Sequence, residues 1–148
     1  MFSIFKKKTV IPHVRLTGVI GAAGRFKQGI DLAGQREILK KAFSFKKIKY
    51  VAISINSPGG SPVQSHLIYS YIKQLAKEKK VKVIIFAEDV AASGGYLMSC
   101  AGDEIYANSS SIIGSIGVIS ASFGFKDLIK KIGIERRVYT AGKNKSTL

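Results

Sequence analysis

The chain has 148 residues, of which 46% are hydrophobic, and a formal net charge of +15 from 24 basic and 9 acidic side chains. This length fits one domain, and the apolar fraction suffices for an ordinary globular core. The single cysteine, Cys100, excludes an intrachain disulfide and a thiolate metal cluster, and we expect it to pack as a small buried hydrophobe. The basic residues are spread along the sequence, which favours a solvated lysine-rich surface over a site for an anionic partner.

Residues 1–9 combine a few apolar side chains with three consecutive lysines. This stretch is too short and too interrupted for a signal peptide or a membrane span. We expect a basic N-terminal tail that makes at most a peripheral membrane contact, and a location in the cytoplasm or at the inner membrane surface.

The rest of the chain alternates between β-branched runs and stretches with helical periodicity. Such alternation predicts an α/β fold with mostly parallel strand pairing. In chain order the predicted elements are a bent strand or strand pair at 10–20, a helix at 32–43, a strand at 50–55, a helix at 63–79, a strand at 81–87, a helix at 93–101, a strand at 104–107, a Gly/Ser-rich β-branched run at 112–120, a helix at 125–132 and a strand at 136–140.

Two glycine loops each follow an apolar strand and open a helix. Ser93 stands in Ala-Ala-Ser-Gly-Gly-Tyr, where a nucleophile at a helix start would stand. The loop Asn-Ser-Pro-Gly-Gly at 56–60 is good turn chemistry, but Gly59 and Gly60 would also let backbone N–H groups approach a substrate carbonyl. Gly94 would donate a second N–H at a helix N-terminus. Together the loops predict a nucleophile and an oxyanion hole.

A serine nucleophile needs a base, and the sequence leaves the choice open. His13 and His66 have no neighbouring carboxylate in sequence, so a Ser-His-Asp triad is the weaker alternative. A lysine can serve if burial lowers its pKa from about 10.4. Lys143 and Lys145 follow a predicted strand and a glycine, and the residues alone do not separate them.

Four motifs in order resemble the signal peptide peptidase A family, whose members are Ser-Lys serine peptidases of the Clp-protease/crotonase-like superfamily. The motifs are Ile-Asn-Ser-Pro-Gly-Gly-Ser at 55–61, Ala-Ala-Ser-Gly-Gly-Tyr at 91–96, Gly-Ser-Ile-Gly-Val at 114–118 and Thr-Ala-Gly-Lys-Asn-Lys-Ser at 140–146. The resemblance runs from about Val10 to the end. It implies repeated β-β-α units and a peptidase domain over 10–148, incomplete at its C-terminus.

The resemblance also implies roles. Ser93 is the nucleophile, Lys145 is the base, and Gly59, Gly60 and Gly94 belong to the oxyanion and substrate-binding site. The segment Ile116, Gly117 and Val118 borders a channel where an extended apolar peptide pairs with a strand edge. No metal and no cofactor are implied; the expected partners are a peptide substrate and further copies of the chain, and nucleic acid is not expected.

Two alternatives remain open. A crotonase-like acyl-CoA enzyme would use the same oxyanion hole without a serine nucleophile. A non-catalytic module would instead bind an anionic membrane or nucleic acid through its basic surface, with a steep salt dependence.

Overall fold

The computed structural model of the protein describes residues 10–21, 29–119, 121–135 and 137. The chain divides into two compact units, Met1–Val118 and Ile119–Leu148. In the first unit the elements are β1 (His13–Thr17), α1 (Leu32–Phe43), β2 (Tyr50–Ser57), α2 (Pro62–Lys79), β3 (Lys82–Ala92), α3 (Gly94–Ser99), β4 (Glu104–Ala107) and β5 (Ile112–Gly114), and the second unit holds α4 (Lys126–Lys131).

The five strands form one sheet in the order β1-β2-β3-β4, with β5 pairing β3 beyond the end of β4. Every one of these pairings is parallel. The predicted α/β fold with mostly parallel pairing is confirmed. Because all strands run the same way, the loops that follow the strands meet at one end of the sheet and the loops that precede them meet at the other.

One face of the sheet is the core. Alternate residues of β1, β2 and β3 point into it, as the period of two in a strand requires, and they pack against the apolar stripes of α1 and α2. The fully buried large side chains include Leu16, Leu39, Phe43, Val51, Ile53, Ile55, Ile68, Ile72, Val83 and Ile85.

The helix boundaries follow local capping chemistry. The Asp31 carboxylate accepts a 2.7 Å hydrogen bond from the Gly34 N–H and starts α1. Ser61 caps α2, and Pro62 occupies its first turn, where no intrahelical donor is needed. Lys80, in the left-handed region with φ 54°, ends α2.

The strand β3 is longer than the sequence predicts. Its 11 residues continue through Glu88-Asp89-Val90 up to Ala92, whereas the apolar run suggests an end near position 87. The register with β2 shifts there: Ile55 pairs with Ala87, but Ser57 pairs with Ala91. This β-bulge carries two charged residues into the strand, so the hydrophobic pattern alone does not reveal it.

In the second unit, α4 is one residue shorter at each end than predicted, and its end is closed by a 3.0 Å hydrogen bond from Ile134 N–H to the Ile129 carbonyl. The strand predicted at 136–140 lies outside the described residues, apart from Arg137. The expected tail at 1–9 lies outside them too. None of the helices within the described ranges combines the length and apolar character that crossing a membrane requires.

Candidate functional site

Ser93 lies between the end of β3 and the start of α3, at the end of the sheet where the strands finish. Its backbone has φ 53° and ψ −117°, a region that residues with a Cβ rarely occupy. A 2.8 Å hydrogen bond from the Ser93 N–H to the Gly114 carbonyl of β5 holds it in place. Strain of this kind at a strand-to-helix turn is typical of positions where a side chain must be held in one orientation for function.

The second glycine loop packs directly against this serine. Gly59 has φ 101°, and a Cβ built on it would lie 2.8 Å from the Ser93 Cβ and 3.0 Å from both the Ala92 carbonyl oxygen and the Gly94 nitrogen. Only glycine fits, both for its φ and for this approach. The structure thus brings together the two loops, which are more than thirty residues apart in the chain.

The hydrogen bonds around this loop distinguish its two glycines. The Gly59 N–H donates to Ser57 Oγ at 3.2 Å, and its carbonyl accepts from the Ile20 N–H at 2.9 Å. The Ser61 N–H donates to the Ile20 carbonyl at 2.8 Å. Within the described residues, the N–H of the exposed Gly60 has no acceptor. Gly60 is therefore the better placed of the two glycines to donate to a bound oxyanion.

Gly94 and Gly95 have a packing role that the sequence does not indicate. A Cβ on Gly94 would collide with Ser65 Oγ, and a Cβ on Gly95 would lie 2.6 Å from the Ser57 carbonyl oxygen. Both serines are fully buried. The two glycines let α3 sit tightly on α2 and on the end of β2. As the first residue of α3, Gly94 also has an N–H without an intrahelical acceptor, which is the second candidate oxyanion donor.

A cavity of about 250 Å³ opens beside Ser93. Cys100, predicted to be buried filler, is half-buried and lines this cavity. Among the described residues, the lining holds no acidic or basic side chain; it consists of Gly60, Pro62, Ser93, Gly94, Tyr96, Leu97, Cys100, Ile116, Gly117 and Val118. Such a cavity suits an apolar side chain of a ligand.

The segment predicted to border the substrate does line this cavity. After β5, Ser115 with φ 52° and Gly117 with φ 147° turn the chain past Ser93. Ile116 and Val118 are 80% and 76% exposed. An extended peptide can pair its backbone with such a strand edge and pack its side chains on the exposed apolar residues.

The described residues contain no base bonded to Ser93 Oγ. His13 forms a 2.8 Å hydrogen bond with Ser54 Oγ near the start of β1. His66 is exposed on α2, where it stacks on Tyr69 and approaches Ser70 Oγ at 3.4 Å. Lys143 and Lys145 lie outside the described residues.

A polar bridge that the sequence analysis missed joins the ends of β2 and β3 next to the site. The Asn56 amide donates to Asp89 Oδ2 at 2.8 Å, and its oxygen accepts from the Val90 N–H at 3.3 Å. The bridge spans the bulge between the end of β2 and the end of β3. It therefore links the strands that lead to Gly59 and Ser93. Asn56, at the start of the glycine loop, is the only signal of it in the sequence.

An ion pair connects the middle of β1 with the bulged part of β3. Arg15 reaches Glu88 at 2.6 Å. The hydrogen bond from Arg15 is the main cause that holds the pKa of Glu88 below its ordinary value, and Glu88 in turn raises the pKa of Arg15. Both side chains are solvent-accessible, so this pair makes a modest contribution.

Comparison with known proteins places this architecture in a family. The sequence profile of peptidase family S49 matches residues 75–148, which is half of the chain. Among solved structures, a "1510-N membrane-bound stomatin-specific protease" superposes with a TM-score of 0.56 over 76% of this chain and 50% of that protein. With 18% sequence identity, that likeness supports the fold alone.

Among relatives, a Brucella melitensis protein named "Na(+)/H(+) antiporter NhaA" is 61% identical over 142 residues, which are 95% of this chain and 19% of that protein. An Arabidopsis thaliana protein named "Serine protease SPPA, chloroplastic" is 41% identical over 107 residues, 72% of this chain and 16% of that protein. The chain thus spans a fifth or less of the length of these relatives. The matched Brucella segment includes most of the region that fits the peptidase profile. The chain belongs to peptidase family S49.

Proposed function

We propose that this chain carries the nucleophile and oxyanion hole of a serine endopeptidase, and that Ser93 is the nucleophile. The observation that supports the proposal most is the strained Ser93 backbone in contact with Gly59. Family membership and a protease-named relative support the reaction class.

In the proposed mechanism, Ser93 Oγ attacks the carbonyl carbon of a peptide bond while a base accepts the hydroxyl proton. The N–H groups of Gly60 and Gly94 donate to the oxyanion that forms. The protonated base then gives its proton to the leaving amine, and an acyl-enzyme remains on Ser93. Water, deprotonated by the same base, attacks the ester and releases the acid.

The base in this proposal is Lys145, as the family resemblance implies. A lysine base must be neutral, so its pKa has to be lowered by burial and cleavage should rise with pH. Lys143 is the natural control because it lies two residues away in the same Gly-Lys-Asn-Lys motif. We expect Lys145→Ala to abolish cleavage and Lys143→Ala to keep most of it.

The proposed substrates are extended apolar peptides, such as signal-peptide remnants or membrane-protein segments. The cavity beside Ser93, whose described lining is largely apolar, suits an apolar side chain next to the cleaved bond, and the exposed Ile116 and Val118 suit pairing with an extended backbone. We also propose that copies of the chain associate, because Ile112, Ile116 and Val118 leave much apolar surface exposed.

The test uses a fluorogenic panel of apolar and charged peptides, with the chain and its Ser93→Ala variant. We expect cleavage of apolar peptides by the first and at least a 10⁴-fold loss, as an approximate figure, in the second. A fluorophosphonate probe should label only the chain that retains Ser93. Cleavage by folded Ser93→Ala would refute the assignment.

The acyl-CoA alternative would need the same oxyanion donors but no serine. A strained φ at Ser93 has no use in that chemistry, so we consider it the weaker proposal. Tight acyl-CoA binding and turnover unchanged by Ser93→Ala would revive it.

A further inference from the structure

The lysines, although scattered in the sequence, gather at one end of the first unit. The last turns of α1 and α2 end beside the starts of β2 and β3, because the strands are parallel and each helix returns the chain to the same end of the sheet. Tyr50 pairs with Lys82, and the Lys82 N–H donates to the Lys49 carbonyl at 3.0 Å. We call this end the lysine pole, defined by the exposed Lys40, Lys41, Lys46, Lys47, Lys49, Lys77, Lys79, Lys80 and Lys82.

These positive charges are not neutralised within the described residues, where neither ion pair involves a lysine. The acidic side chains near the pole have other partners. Glu78 accepts from Gln74, and Glu104 accepts from the Tyr106 hydroxyl, both at 2.7 Å. Asp103 accepts from the Val83 N–H at 2.7 Å. The pole therefore presents its charge to solvent.

An exposed aromatic side chain lies among these lysines. Phe45, in the loop between α1 and β2, is 47% exposed and directly precedes Lys46 and Lys47. Its neighbour Phe43 is fully buried. An exposed ring followed in the chain by lysines is a combination that inserts at a lipid interface while the charges remain among the headgroups.

We propose that the lysine pole docks on a bilayer that carries anionic phospholipids. All nine charges are lysines, which act as point charges without the bidentate geometry that favours arginine in nucleic-acid recognition. The pole lies at the end of the sheet opposite Ser93, so docking leaves the glycine loops facing away from the bilayer. This inference stands independently of the proposed peptidase activity.

The test is co-sedimentation of the whole chain with vesicles of phosphatidylcholine alone and of phosphatidylcholine mixed with phosphatidylglycerol. We expect binding only to the mixed vesicles, weakening as salt rises. Each lysine near an anionic surface strengthens partitioning about five-fold, so replacing Lys46, Lys47 and Lys49 by Gln should lower it about 100-fold.

The matched control replaces the same three residues, Lys46, Lys47 and Lys49, by Arg, which keeps the charge at the pole. We expect at most a few-fold loss there. A second pair compares Phe45→Ser with Ile38→Ser, since Ile38 is 51% exposed on α1; only the first should weaken vesicle binding.

Three outcomes would overturn the proposal: equal binding to both vesicle types, equal losses in the two triple variants, or binding to short duplex DNA that is tighter than to the mixed vesicles at the same ionic strength. The last would assign the pole to nucleic acid instead. Circular dichroism of each variant keeps a folding defect from being read as lost docking.

Discussion

The two ends of the parallel sheet differ in almost every chemical respect. Where the strands finish, glycines, a strained serine and helix N-termini surround a cavity whose described lining carries no charged side chain. Where the strands begin, helix C-termini meet and exposed lysines dominate. Both follow from one topology, because the helices that join the parallel strands begin at one end of the sheet and return the chain to the other end. The first end favours developing negative charge, and the second favours cations.

The comparison can be tested at two residues with a similar positive φ, Ser93 at 53° and Lys80 at 54°. Glycine at either position should relieve strain of about 1 kcal/mol. We expect Ser93→Gly to lose all cleavage while remaining folded, and Lys80→Gly to retain cleavage and to melt about 2–4 °C higher.

The measurements are peptide cleavage and thermal melting of both variants. If Lys80→Gly lost cleavage as well, the separation of a reacting end from a docking end would be wrong.

A smaller effect is expected from a substitution at Gly59, where the two glycine loops are in contact. Gly59→Ala should lower kcat/KM about 100-fold, because the new methyl group displaces Ser93 and the oxyanion donors. The control is Gly18→Ala: Gly18 has a comparable φ of 119°, but a Cβ there would have no neighbour within 4 Å.

In both variants alanine must adopt a positive φ, which its Cβ disfavours, so both should lose stability in thermal melts. A similar fall of kcat/KM in the two would show that backbone strain, and not contact with Ser93, causes the loss.

A smaller effect, a fall of about ten-fold in kcat, is expected when the polar bridge between Asn56 and Asp89 is broken. Asn56→Asp places a second carboxylate beside that of Asp89. The repulsion between them should weaken the link between the ends of β2 and β3. Adding Asp89→Asn reverses the donor and acceptor and restores both hydrogen bonds, including the one from Val90.

We expect the double variant to recover cleavage, and the deficit of Asn56→Asp relative to the unchanged chain at the same pH to shrink as acidic pH protonates a carboxylate. Losses that simply add in the double variant would mean that the bridge does not position the loops.

The smallest effect is expected from the ion pair of Arg15 and Glu88. Because the folded-state pKa of Glu88 is lowered, its contribution to stability is present above the ordinary glutamate pKa and is lost as the pH falls through the folded-state value. Arg15→Gln should lower Tm by at most about 3 °C at neutral pH, and the difference should vanish in acid.

Arg36→Gln serves as the comparison in the same melts, because Arg36 stacks over the Tyr71 ring at 5.2 Å. Its effect should not follow the titration of a carboxylate. A difference for Arg15→Gln that persists unchanged in acid would contradict the role given to Glu88.

Much of the architecture could be predicted from sequence, because β-branched runs and glycine loops are local signals. The bulge in β3 could not, since Glu88 and Asp89 look like loop residues until Asn56 is seen to bridge to Asp89 and Val90. The lysine pole could not either: it depends on which ends of which elements meet. The requirement for glycine at Gly94 and Gly95 comes from their packing against Ser65 and Ser57, and only the folded structure shows that contact.

The length of β3 has a consequence for reach. Its 11 residues separate the two ends of the sheet by roughly 30 Å. If the lysine pole rests on a bilayer, Ser93 stands at about that height above the lipid. A polypeptide still anchored in the membrane would then need about nine extended residues beyond the surface before its backbone could arrive at the serine. Membrane-anchored polypeptides with a shorter segment outside the lipid would then not be cleaved, whereas those with a longer segment would reach Ser93.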